Sequence, residues 1–490
     1  MPETESHPLK HWLDRIAASH PHAPAIYIEG EEIDYITLKD QTDALVSTLH
    51  RAGVKSGHHL ALVTYSARII ALMAYAAPHM GITFLPLDPR LPSKWQNLLI
   101  AQASICYVLC DNEVSDHWGG DINVITIGQL LLQQFTLNIN LDEPKTSIYT
   151  PLMLATSGST DIPKVVLLTP ENISASVRNT NEHLQLQHSD IWLDCLPLFH
   201  IAGLMILYRS IARGAAVILH DKFNAEKVWA DLQQHPVTHL SLIPTMLIHL
   251  LEVAGNTAPP ATLKAVLIGG APLDPKLALR AVKLGWPLYM TYGMTETASQ
   301  IASSRLELDE LEDPQNLISV KVYENIDIQI RDEKGQPSKG FGHIALRGSQ
   351  IMSGYANSGT QDNKGLDRDN WLLTSDMGHV DESRNLFVIG RADEVIISGG
   401  EKIHPAQIES LMRACPGIEE VAVIGQPDPT WGNTLMAIHV GEFDELQVEL
   451  WCREQFKGSW RPRAFKRMDA LPRLANGKLD RKTLNSSPLV

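Results

Sequence analysis

The sequence predicts an α/β protein of two domains: a large N-terminal domain over residues 1–390, made of α/β subdomains with a β-rich subdomain at its end, and a small α+β C-terminal domain over residues 391–490. Three observations lead there. A chain of 490 residues that is 44% hydrophobic can bury a large core, yet it exceeds what a single core supports. Continuous apolar runs at 60–64, 106–109, 215–219 and 265–268 alternate with helical patterns, as in sheets covered on both faces. From about Ile326 the texture changes to short strands and Gly-rich turns, and after Gly390 a strand–helix–strand pattern begins again.

Taken in order, the N-terminus carries Glu3, Glu5 and Asp14 without an apolar run, so it cannot act as a secretory signal. The apolar stretch 69–87 contains Pro78, His79 and Gly81, and reads as a helix to about Ala77 followed by a buried strand over 83–87. No membrane span is expected. Thr169-Pro170-Glu171 supplies an N-cap, a proline at the first helical position and an early acidic residue. A strand is expected over 287–291. Further strands follow over 326–330 and 342–347, then a helix opened by Pro405 and a strand over 420–424.

The formal charge of −15 argues against nucleic acid as a partner, since gripping a phosphate backbone relies on an excess of Lys and Arg. Five cysteines, odd in number and without CxxC spacing, suggest neither a disulfide framework nor a zinc site. A cytoplasmic enzyme acting on small molecules is the expectation, as a monomer or homo-oligomer.

The chemistry concentrates in a few segments. Thr156, Ser157, Gly158, Ser159 and Thr160 follow an apolar strand and precede Lys164; such a loop brings backbone N–H groups, hydroxyls and one cation to phosphate oxygens. It is not the Walker pattern, because no Gly-Lys-Ser/Thr opens a helix. Glu296, beside Thr295, is a carboxylate of the kind Mg²⁺ takes together with phosphates and water.

The segment 156–164, Tyr292-Gly-Met-Thr-Glu-Thr297, Thr374-Ser-Asp376, Arg391-Ala-Asp393 and Asn476-Gly-Lys478 come in the order and spacing of the adenylate-forming enzymes, the superfamily of acyl-CoA synthetases, peptide-synthetase adenylation domains and beetle luciferases. The resemblance spans nearly the whole chain. It implies ATP, Mg²⁺ and coenzyme A as cofactors and a carboxylic acid as substrate. It places Tyr292, Gly270 and Ala271 around adenine, Asp376 on the ribose hydroxyls and Arg391 near the ribose or α-phosphate. Thr295 would bond phosphate, Glu296 would hold the metal, and Lys478 would be the catalytic cation for attack on the α-phosphate. His200, in Leu196-Pro-Leu-Phe-His200, would line the acid pocket, and Lys402, in Ser398-Gly-Gly-Glu-Lys402, would approach coenzyme A. Asp393 falls at the family's hinge, so the small domain is expected to be mobile.

Within the superfamily, segments 196–204, 292–300 and 395–405 resemble most the 2-succinylbenzoate–CoA ligases of menaquinone biosynthesis. Two alternatives stand beside that reading: loading of a carrier protein's phosphopantetheine, and a nucleotide-binding homologue without catalysis. The second is prompted by Asp161 and Val165, which replace glycines of the family loop. Asp161 adds negative charge near a triphosphate, and Val165 is unsuited to a position that requires positive φ.

Overall fold

The computed structural model describes residues 8–118, 122–128, 149–156, 163–311, 319–356, 365–473 and 479–486. Two large sheets dominate. The first has eight strands, in the order Ser299–Arg305, Leu288–Met294, Ala265–Ile268, His239–Leu242, Ile191–Asp194, Ala216–Leu219, Pro24–Ile28 and Glu31–Asp34, and is parallel except at its two edges. The second has seven, in the order Gly354–Tyr355, Val165–Leu168, Leu152–Ala155, Thr83–Leu87, His59–Val63, Tyr107–Cys110 and Asn123–Thr126.

Strand by strand, successive side chains go to different cores. Leu60 and Leu62 join Val217 and Leu219 in one large cluster with the helices Tyr35–Arg51, Ala67–Met80, Pro170–Leu184 and Ile201–Arg213, which therefore lie between the sheets. Ala61 and Val63 point the other way, onto the helix Ser93–Gln102. Ala216 and Ile218 face a third cluster with Val228, Leu250 and Ala278. Because both faces are covered, these strands are apolar throughout rather than alternating, as the sequence predicts.

The helix Ala67–Met80 runs past the expected stop at Ala77. Pro78 cannot bond the carbonyl of Ala74, and the Tyr208 hydroxyl takes that carbonyl instead at 3.1 Å. Gly81, at φ 64°, then ends the helix. No helix among the described residues is long and apolar enough to cross a membrane.

A third sheet, antiparallel throughout, is the β-rich part: Val320–Lys321, Asn385–Arg391, Leu372–Val380, Gly342–Arg347, Asp327–Arg331 and Pro337–Ser338. Beyond Arg391 come the hairpin Ile396–Ser398/Glu401–Ile403 and a three-stranded sheet of Ile418–Asp428, Gly432–Gly441 and Ala464–Arg467. The helices Pro405–Met412 and Glu445–Gln455 add Ile408, Met412, Val448 and Cys452 to a core on one face of that sheet. Leu471 and Leu484 pack with Ala422 and Ile424 in a second cluster. All five cysteines are free thiols.

Candidate active site

The strands Leu152–Ala155 and Val165–Leu168 form an antiparallel hairpin with Ala155 opposite Val165. Its mouth is closed by the Thr156 N–H, which donates to the Lys164 carbonyl at 2.8 Å, and by the Lys164 N–H, which donates to Thr156 Oγ1 at 3.3 Å. Ser157, Gly158, Ser159, Thr160 and Asp161 lie outside the described residues. Val165 is an ordinary strand residue paired with Ala155, so the positive φ at which valine would be unsuited is not required there.

Lys164 Nζ lies 4.9 Å from the centre of the Tyr355 ring. Tyr355 sits on the edge strand opposite Val166, and its hydroxyl donates to Glu296 Oε1 at 2.9 Å. Burial first, and the Glu296 carboxylate second, push the Tyr355 phenol up, which keeps it a donor. Nothing in the sequence marked Tyr355, because a Gly-Tyr pair in a short strand carries no pattern of its own.

At the other end of the same segment, the Tyr292 hydroxyl donates to Asp376 Oδ2 at 2.8 Å. Burial, then the Asp376 carboxylate, raise the Tyr292 phenol well above its ordinary range. Asp376 is the cross-strand partner of Arg391, whose Nη1 stands 3.4 Å from Asp376 Oδ1. Arg391 Nε and Nη2 grip Asp393 at 2.9 and 2.8 Å, a bidentate fork that aims the guanidinium. The Asp376 N–H donates to Thr374 Oγ1 at 3.1 Å, fixing the aspartate from behind. Gly270 and Ala271 follow the neighbouring strand Ala265–Ile268, with Gly270 at φ 82°. A β-carbon on Gly269 would stand 2.7 Å from Thr291 Oγ1, so the backbone is glycine there because Thr291 fills the space.

Between these ends lies the turn. The strand Leu288–Met294 continues past the expected end at Thr291, because its ladder with Ser299–Arg305 carries on through a bulge between Tyr292 and Gly293. A single 3-10 turn, Thr295–Thr297, then presents Thr295 and Glu296. Ala298 at φ 47° and Ser299 at φ 91° follow, left-handed conformations that cost non-glycine residues on the order of 1–3 kcal/mol each. The Thr297 hydroxyl accepts from the Met294 N–H at 2.9 Å and donates to the Ser299 carbonyl at 2.6 Å.

His200 and Lys402 lie on other elements. His200 occupies the N-cap of the helix Ile201–Arg213, with its ring against Phe199 at 5.0 Å. Lys402 pairs with Glu333. Gly399 and Gly400, at φ 58° and 83°, make the two-residue turn of the hairpin before it. Lys478 lies outside the described residues, between Arg473 and Leu479, which form an antiparallel bridge. Arg481, just beyond, pairs with Glu409 at 2.9 Å and Glu394 at 3.3 Å.

Among the described residues no group of three or more His, Cys, Asp and Glu side chains could hold a metal ion. Glu296, one carboxylate beside a hydroxyl-bearing turn, instead suits Mg²⁺ that arrives already bound to phosphates, since that ion keeps waters and takes few protein carboxylates. Tyr355→Phe keeps the ring against Lys164 and removes the hydroxyl's bond to Glu296. We expect kcat/KM for ATP to fall roughly 10-fold, as for a lost hydrogen bond to a charged group. An unchanged value in steady-state kinetics would show that Glu296 needs no such support.

The fold and this cluster define a class: the chain belongs to the AMP-binding enzyme family, whose pattern it matches over residues 13–356, with the family's C-terminal domain matching over 407–478. Within it, the chain is 32% identical over 489 residues to the 2-succinylbenzoate–CoA ligase of Bacillus cereus strain Q1, covering 97% of this chain and 98% of the relative. The o-succinylbenzoate CoA synthetase of Bacillus subtilis, solved with its acyl-adenylate intermediate, superposes with a TM-score of 0.88 at 28% identity, covering 98% of each chain. A double mutant of that synthetase bound to a CoA product analogue superposes with a TM-score of 0.73 at the same identity and coverage.

Proposed function

We propose that this chain ligates 2-succinylbenzoate to coenzyme A at the expense of ATP, through an enzyme-bound acyl-adenylate. The observation that carries the reading is that residues 292–296 join two clusters, Tyr292–Asp376–Arg391 at one end and Glu296–Tyr355–Lys164 at the other. One suits a nucleoside and the other a metal-bound polyphosphate. The relatives supply the acid.

In the first step a carboxylate oxygen of the acid attacks the α-phosphorus of ATP, and the bond to the β-phosphate oxygen breaks as pyrophosphate leaves. Asp376 accepts hydrogen bonds from the ribose diol, the Tyr292 ring lies against adenine beside Gly270 and Ala271, and Arg391 reaches the ribose or α-phosphate. Thr156, Ser157, Gly158, Ser159, Thr160, Lys164 and Thr295 hold phosphate oxygens. Glu296 would hold Mg²⁺, which when bound would supply positive charge beside the polyphosphate. Lys478 offsets the charge that grows on the α-phosphate. His200 lines the acid pocket. In the second step the thiol sulfur of coenzyme A attacks the acyl carbon, the thiol proton passes to solvent, and AMP leaves. Rotation of residues 391–490 about Asp393 would withdraw Lys478 and bring Lys402 towards the thiol. The higher TM-score to the adenylate complex than to the CoA product complex supports the view that this arrangement belongs to the first step.

We place the enzyme in the cytoplasm, where ATP and coenzyme A are at hand and its five free cysteines stay reduced. The test is incubation with ATP, Mg²⁺, coenzyme A and a panel of carboxylic acids that includes 2-succinylbenzoate, followed by mass analysis of thioesters. The expected product is 2-succinylbenzoyl-CoA. Preference for another acid would overturn the substrate, and acyl transfer only to an added carrier protein would overturn the acceptor.

A further inference from the structure

The turn after Glu296 contains two left-handed residues without glycine, so something outside the turn must hold it. The helix Pro170–Leu184, which leads directly from the Thr156–Lys164 hairpin, presents Asn172, Ser176 and Asn179 on one face, as their spacing of four and three dictates. All three are buried. Asn172 Nδ2 donates to the carbonyls of Ser349 and Ile351 at 2.8 and 2.7 Å, gripping the chain on both sides of Gln350. Ser176 Oγ donates to the Ala298 carbonyl at 2.6 Å. Asn179 Nδ2 donates to Gln350 Oε1 at 2.7 Å, while its own Oδ1 accepts from Asn325 Nδ2 at 3.0 Å.

Gln350 is fully buried, and its Nε2 donates to the carbonyls of Thr297 at 2.8 Å and Gln300 at 3.0 Å. With Ser176 on Ala298 and the Thr297 hydroxyl on Ser299, each of the four consecutive carbonyls at 297–300 is held by a side chain. The direction of the relay is forced. The carbonyls of Thr297 and Gln300 can only accept, so the amino end of Gln350 faces them; its oxygen then takes the Asn179 amino group, and the Asn179 oxygen accepts from Asn325. Flipped, Gln350 would set oxygen against oxygen. Met352, two residues on, donates its N–H to the Glu296 carbonyl at 2.8 Å, tying the same segment to the residue in question.

We propose that Gln350, oriented by Asn179, is a positioning residue for adenylate formation: it holds the strained backbone at 297–300 in the arrangement that aims Thr295 and Glu296 at the nucleotide. This rests on the reading of Thr295 and Glu296 as the phosphate-facing pair. None of the relay's hydrogen bonds runs to residues 196–204 or 396–403, so its effect is expected in the first half-reaction.

Gln350→Met keeps the volume and removes the donors. Asn179→Asp keeps the bond from Asn325 but loses the donor to Gln350, so the Gln350 amide is free to flip towards the new carboxylate. In acid-dependent ATP–pyrophosphate exchange with 2-succinylbenzoate, Gln350→Met is expected to lose about 10- to 100-fold in kcat, with little change in KM for the acid. Thioester formation from supplied 2-succinylbenzoyl-AMP should stay within about threefold of wild type, and the double variant should be no worse than Gln350→Met, because both changes break one relay. Exchange within about threefold of wild type in either folded variant, equal loss of both half-reactions, or additive losses in the double variant would each overturn the proposal. Should Gln350→Met fail to fold, Asn179→Asp decides by the same half-reaction criteria. Wild-type protein without any acid-dependent exchange would overturn the adenylation reading itself, and this proposal with it.

Discussion

Lys478→Ala is expected to slow adenylate formation by roughly two to three orders of magnitude, the loss typical when one preorganised charge aimed at a transition state is removed. In the proposed mechanism the cation offsets the negative charge that grows on the α-phosphate while the bond to pyrophosphate opens, and a lysine ammonium is a compact charge that can follow it. Thioester formation from supplied 2-succinylbenzoyl-AMP should survive, since the second step leaves nothing for that cation to do. Pyrophosphate exchange and single-turnover thiolation, measured side by side, separate the two. Equal loss in both would refute the division of labour between the two ends of the small domain.

Asp376→Ala is expected to raise KM for ATP by roughly 30- to 100-fold, through loss of hydrogen bonds from the ribose hydroxyls to a charged acceptor. The variant also strips the Tyr292 hydroxyl of its acceptor, while Arg391 keeps its fork on Asp393, so the site loses one anchor rather than collapsing. The specific check is 2′-deoxy-ATP. Wild-type enzyme should discriminate against it and Asp376→Ala should not, because a missing hydroxyl costs nothing where its acceptor is gone. A variant that still prefers ATP over the deoxynucleotide would show that another group reads the ribose.

Much of this was legible in the chain. Apolar runs such as that over 60–64 pointed to the buried sheets, because a strand covered on both faces has no polar side to display. Thr169-Pro170 gave a helix start that the structure completes with a capping box from Asn172. Candidates for the site were legible wherever a short segment carries them whole, as at Thr295-Glu296 or Thr374-Ser-Asp376.

What the sequence by itself determined, then, was the class of fold, and what it offered was a set of candidate site residues, since both come from local residue chemistry and from periodicity along one element. Only the tertiary structure decided what each group touches. The register that sets Asp376 opposite Arg391 depends on how two strands slide past each other, and the seating of Tyr355 between Lys164 and Glu296 depends on a chain returning from far away. Most telling is the face Asn172–Ser176–Asn179, which in sequence is indistinguishable from the wet side of a surface helix. Periodicity says which residues share a face but not what covers it, and here the covering is a strained turn whose carbonyls need donors that water cannot reach.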